Sequence, residues 1–93
     1  TLDLNAVPAL KSRTHLPIVV DPSHGTGVWN YVAPMSKAAL ACGAHGLLIE
    51  VHPEPDKAFS DGGQSLKPQV FAVLMDELRS LGAALGKEVG RAI

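Results

Sequence analysis

Cys42 is the only cysteine in the 93-residue sequence, so no disulfide can form within the chain. That favours a reducing compartment or indifference to redox, and a cytoplasmic protein is expected. Long hydrophobic runs are also missing. None approaches the ~20 residues that a helical membrane span requires, and no basic-then-apolar leader opens the sequence, so no membrane association is expected. Charge of one sign is scarce too: eight Lys and Arg against nine Asp and Glu leave a net charge of -1, which gives no basic footprint for nucleic acid. The letters hold no internal repeat. Apolar residues are what the chain has in quantity, at 46%. That is too many for a disordered segment and, at this length, enough for a core with a thin margin.

Two stretches organise the rest. Residues 16–27 read LPIVVDPSHGTG: a β-branched run (Ile18, Val19, Val20) stops at Asp21, Pro22, Ser23 and His24 and then at a glycine-flanked turn. A buried parallel strand has this form when it delivers polar side chains to the rim of a sheet. Residues 46–53, GLLIEVHP, repeat the design one helix later. Pro17 is tolerated at the start of the first strand because that position need not donate to the ladder.

Helices fill the intervals. Asn5 can cap a first helix with Pro8 at its third position, where a missing N–H costs nothing. Ala6, Val7, Ala9 and Leu10 give it an apolar side, and it should end near Arg13. A second helix is expected over about 29–42, with Met35, Ala38, Ala39 and Cys42 on its buried face, Pro34 in or near its first turn and Gly43 as its left-handed stop. After His52 comes PEPDKAFSDGGQ, a long loop of the kind that is functional or disordered. Ser65 can cap a last helix with Pro68 at its third position and an apolar stripe of Phe71, Leu74, Leu78, Leu81 and Leu85. Gly82 weakens its far end, and residues 87–93 are expected to fray.

Helix, strand, helix, strand, helix makes one right-handed parallel unit. Two strands leave unpaired edges and apolar side chains that three helices cannot cover. Residues 1–93 are therefore expected to be the last quarter of a single, larger parallel barrel or sheet.

In parallel α/β folds the reactive groups collect where strands end. His24 follows the first strand, Glu50 lies near the end of the second, and Asp61 is in the loop after it. A histidine nitrogen with two carboxylates suits a borderline divalent metal of the Mn, Fe, Co or Zn class. Blander readings stand beside this one: His24 as a turn residue, Glu50 in a plain ion pair, Asp61 as the turn residue of SDGG. Asp21 and Ser23 can orient His24 or satisfy turn amides. His52 shares a side of its strand with Glu50 or packs on Pro53. Cys42 reads as a small core residue, and His15 and His45 sit before strands, away from the chemistry. Gly25-Thr26-Gly27 has the look of a phosphate cradle at a helix start, on a very unspecific pattern. Glu54, Asp56 and Lys57 read as solvated loop charges.

DPSHGTG followed by GAHGLLIEVHPEPDKAFSDGGQSL resembles the C-terminal part of 3-deoxy-D-arabino-heptulosonate 7-phosphate (DAHP) synthases, of the subclass similar to 3-deoxy-manno-octulosonate 8-phosphate (KDO8P) synthases. The similarity runs from Leu2 to about Leu85. The resemblance implies a (β/α)8 TIM barrel, α/β in class, of which this chain supplies helix 6, strand 7, helix 7, strand 8 and helix 8. It implies a transferase joining phosphoenolpyruvate to erythrose 4-phosphate with release of phosphate, the first step of aromatic amino-acid biosynthesis. It implies a divalent metal ion held by a cysteine and by the residues that match His24, Glu50 and Asp61. The ligand cysteine and the phosphate-binding arginines and lysines belong to earlier strands, and Cys42 cannot replace that cysteine.

On the same basis Asp61, or water on the metal, is the expected base. His24 is expected to contact phosphoenolpyruvate as well, with Ser23 and Asp21 beside it. The isolated chain is expected to be inactive and the intact enzyme to be a homo-oligomer. A KDO8P synthase piece acting on arabinose 5-phosphate and a non-catalytic structural unit are the alternatives.

Overall fold

The structure, a computed structural model, describes residues 1–54 and 62–90. Its elements are α1 (Ala6–Lys11), β1 (Val19–Val20), α2 (Pro22–Thr26), α3 (Trp29–Ala41), β2 (Gly46–Leu47), a 3-10 turn at Gly62–Gln64, and α4 (Pro68–Ala84). β1 and β2 are parallel, with Val19 opposite Gly46 and Val20 opposite Leu47, as their apolar runs predict.

Regular pairing ends sooner than those runs do. The ladder closes with the bond from Leu48 N to Val20 O at 2.9 Å. Two residues on, the chain finds another neighbour: Val51 forms a parallel bridge with Leu66. Leu66 N donates to Glu50 O and His52 N donates to Leu66 O, both at 2.9 Å. The second apolar stretch is thus held first by β1 and then by the segment leading into α4.

α2 occupies residues expected to form a turn. Asp21 is its N-cap, with a side-chain oxygen accepting from His24 N, and Pro22 stands at the first helical position, where no N–H is needed. Gly27 stops it at φ 69. A Cβ there would meet nothing within 4 Å, so Gly27 is required by the backbone angle and not by crowding.

α1 has Asn5 at its N-cap position, but the side chain makes no cap bond. Asn5 is itself helical, and its own N–H goes to Asp3 Oδ1 at 3.0 Å. α3 buries Val32, Ser36 and Ala39; of the predicted face Ala39 is buried, while Met35, Ala38 and Cys42 are half-buried. The face is turned because the helix serves two clusters. Ala39 packs with Val7, Val20 and Ala44, whereas Val32 packs with Leu66, Leu74 and Leu78. Leu47 touches both groups, which makes β2 the wall between them. Pro34 lies inside α3, past the first turn. It removes the N–H that would reach Asn30 O, and both residues are exposed.

Gly43, at φ 106, follows α3 as expected of a left-handed stop. Two ammonium groups finish the helix end: Lys11 Nζ donates to Gly43 O at 3.0 Å and Lys87 Nζ to Leu40 O at 3.3 Å. Cations are favoured there by the helix dipole.

Ser65 does not cap α4. The helix starts at Pro68, and its N-cap is Lys67 in an extended conformation with ψ 149. The proline ring excludes the helical region for the residue before it, so no helix can begin at Ser65, which is buried. Of the predicted stripe, Leu74 and Leu78 are buried, and Gly82 joins them. Phe71 and Leu81 are half-buried, and Leu85 is exposed. A Cβ on Gly82 would lie 2.8 Å from Val89 Cγ2, so the glycine permits close approach. Residues 87–90 return along the helix: Lys87 N donates to Gly82 O at 2.7 Å, and Val89 packs against the α4 cluster. Residues 91–93 lie outside the described residues.

Candidate metal and substrate site

The cap that starts α2 also places its reactive side chain. Asp21 Oδ1 accepts from His24 N at 2.9 Å, and Asp21 Oδ2 lies 2.7 Å from His24 Nδ1. The imidazole is thereby held from behind, and its other nitrogen, Nε2, is 3.9 Å from Glu50 Oε1. The three side chains keep 45%, 30% and 40% of their surface for His24, Asp21 and Glu50 respectively, so none of them is buried.

Glu50 is fixed through its backbone. Ser23 is fully buried, and its Oγ accepts the Glu50 N–H at 2.9 Å. One turn of α2 therefore sets both groups, Asp21 through the imidazole of His24 and Ser23 through the main chain of Glu50. The Ser23 link had no signature in the sequence, because a side chain bonded to a distant backbone amide obeys no spacing rule. The cap did have one: an aspartate followed by proline is an N-cap and first-position pair.

Of the predicted metal set, His24 and Glu50 come together, and Asp61 lies outside the described residues, as do Asp56 and Lys57. Among the described residues no group of three His, Cys, Asp or Glu side chains could hold a metal ion. The pair itself suits one. An ion about 2.1 Å from each donor can touch both a nitrogen and an oxygen that are 3.9 Å apart. An imidazole with a carboxylate is the donor chemistry of borderline divalent metals.

The other candidates are placed elsewhere. Gly25 and Thr26 form the last turn of α2, not the first turn of a helix, and Thr26 Oγ1 donates to Pro22 O at 2.7 Å. Gly27 and Val28 then lead into the start of α3 at Trp29. His52 Nδ1 accepts from Glu54 N at 2.9 Å, and His45 Nδ1 accepts from Ile18 N at 2.9 Å, at the start of the strands. Cys42 caps the far end of α3, with Sγ 3.4 Å from Ala39 O. Ser36 Oγ and Gln64 Nε2 are buried without a hydrogen-bond partner among the described residues.

Fold and site together define an α/β protein that gathers its polar groups where two parallel strands end. Comparison with known proteins gives the family. The chain belongs to the DAHP synthetase I family, whose model matches residues 1–84. It is 54% identical over 89 residues to a phospho-2-dehydro-3-deoxyheptonate aldolase of Thermotoga maritima, covering 96% of this chain and 26% of that protein. A 2-dehydro-3-deoxyphosphooctonate aldolase of Syntrophobacter fumaroxidans is 36% identical over 88 residues, covering 83% of this chain and 30% of that protein. The structure superposes with a TM-score of 0.94, at 53% identity, on a truncated form of 3-deoxy-D-arabino-heptulosonate 7-phosphate synthase from Thermotoga maritima, covering 97% of this chain and 34% of that one. The chain thus spans about a quarter to a third of these relatives.

Proposed function

We propose that this chain is the C-terminal part of the catalytic barrel of a DAHP synthase, comprising helix 6, strand 7, helix 7, strand 8 and helix 8. The full-length protein would be cytoplasmic and homo-oligomeric, and would condense phosphoenolpyruvate with erythrose 4-phosphate. The observation that carries this reading is the meeting of His24 Nε2 and Glu50 Oε1 at 3.9 Å within a chain 54% identical to a named relative of that activity. Strand-borne apolar groups support the barrel: Val19 and Leu48 are 62% and 54% exposed, surface that further strands of a closed sheet would cover.

His24 and Glu50, with Asp61, would hold a divalent ion of the Mn, Fe, Co or Zn class. Bound there, such an ion supplies Lewis acidity to the aldehyde oxygen of erythrose 4-phosphate. His24, exposed beside Glu50, would also touch phosphoenolpyruvate, with Asp21 and Ser23 beside it. Asp61 is assigned as the base that takes a proton from the water adding at C2 of phosphoenolpyruvate. Asp61→Ala in the full-length protein should then lower turnover by about 100-fold or more, the usual worth of a positioned base. Normal turnover with full metal content would remove it from that role.

The two related activities differ in the aldehyde. The full-length protein is expected to consume phosphoenolpyruvate with erythrose 4-phosphate and to be slow with arabinose 5-phosphate. Steady-state release of phosphate with each sugar decides between them, and a preference for arabinose 5-phosphate would overturn the assignment in favour of the phosphooctonate activity.

A further inference from the structure

Asp21 commits both carboxylate oxygens to one residue. Oδ1 takes the backbone N–H of His24 at 2.9 Å, and Oδ2 lies 2.7 Å from its Nδ1. A carboxylate can only accept, so Nδ1 carries a hydrogen, and Nε2 is the nitrogen that faces Glu50 Oε1 at 3.9 Å. We propose that Asp21 is a positioning residue that fixes His24 as the Nδ1–H tautomer and turns its Nε2 toward Glu50. The inference rests on the metal reading above and adds to it the group that decides which nitrogen can ligate.

The arrangement has two separable parts. Capping α2 requires one oxygen, and any aspartate or asparagine at that position could supply it. Holding the imidazole requires a second acceptor on the same side chain. Ser23, buried in the same turn, keeps Glu50 in place through its backbone. Loss of the second oxygen would therefore turn His24 relative to a Glu50 that has not moved.

Asparagine separates the two parts. In Asp21→Asn the amide oxygen can still cap α2, while the NH2 group faces Nδ1. Nδ1 must then accept, which drives the hydrogen to Nε2 and takes away the lone pair a metal needs. Asp21→Ala removes both oxygens.

The test uses the full-length protein, with Mn2+ as the probe in competition with a chelator, and His24→Ala as reference. Both Asp21 variants are expected to bind Mn2+ about 10- to 100-fold more weakly, the usual effect of losing the partner of a ligating histidine. Asp21→Asn should melt closer to the unsubstituted protein than Asp21→Ala does. In the metal-free proteins, imidazole 15N–1H correlation spectra should show Nδ1–H at His24 in the unsubstituted protein and Nε2–H in Asp21→Asn, a signature that a purely structural cap would not give. Mn2+ affinity of Asp21→Ala within about twofold of the unsubstituted protein, with binding lost in His24→Ala, overturns the proposal; so does an Nδ1 that carries no hydrogen at His24 in the metal-free unsubstituted protein. Unchanged Mn2+ binding in His24→Ala sinks the metal reading itself, and with it this inference.

Discussion

Glu50→Gln in the full-length protein is expected to lower kcat/KM for the proposed condensation by about a thousandfold while leaving the melting temperature nearly unchanged. The magnitude follows from the role. A bound cation supplies several kcal/mol to a developing negative charge, and about 4 kcal/mol corresponds to three powers of ten in rate. Glutamine keeps the shape of the side chain and removes the charge that, on the proposed reading, would hold the ion. The fold is spared because the backbone bond from Glu50 N to Ser23 Oγ survives the change, and the carboxylate itself is 40% exposed. Raising Mn2+ should recover part of the activity, since a weakened site is filled by mass action. Kinetics at several Mn2+ concentrations, with melting curves alongside, give the answer. A kcat/KM within threefold of the unsubstituted protein at every concentration would exclude Glu50 as a ligand.

Leu66→Ala should have the opposite profile, a large loss of stability. Leu66 is fully buried among Val32, Leu74 and Leu78, where removing a leucine side chain costs about 2–5 kcal/mol, with the cavity adding to the lost transfer energy. A fall of several degrees in the melting temperature of the full-length protein is expected. The backbone bonds of residue 66 to Glu50 O and His52 N are not deleted, so any loss of activity should follow the unfolded fraction. Leu85→Ala is the control, because Leu85 is 42% exposed and its loss should stay within about 0.5 kcal/mol. Denaturant unfolding measures both. A loss below about 1 kcal/mol for Leu66→Ala would mean that its cluster is not a unit of stability.

The parallel unit was legible because its signals are independent of partners. Two β-branched or leucine-rich runs, each ending in polar residues, with a helix between them, admit few other topologies. Strand ends offered His24 and Glu50 only as one reading beside a turn histidine and a plain ion pair, and the resemblance to DAHP synthases is what singled the two out. What escaped were features set by a neighbour. The small residues of α3 pointed to one buried stripe, but contact with two clusters turned the buried face to Val32, Ser36 and Ala39. The glycines of His24-Gly25-Thr26-Gly27 suggested a turn and hid a helix that Asp21 and Pro22 had already announced. Ser65 was a sound cap by residue type, overruled by the ring of Pro68 acting on Lys67.

The two ends of the strands are secured by different means. Where β1 and β2 begin, Lys11 and Lys87 reach the last carbonyls of α3, and His45 receives the amide of Ile18. Where they finish, Asp21, Ser23, His24 and Glu50 are tied to one another. Acylation of either lysine would therefore shorten the folded lifetime of the unit without altering its chemistry, and drift of sequence on that underside would be felt as durability, not as catalytic rate.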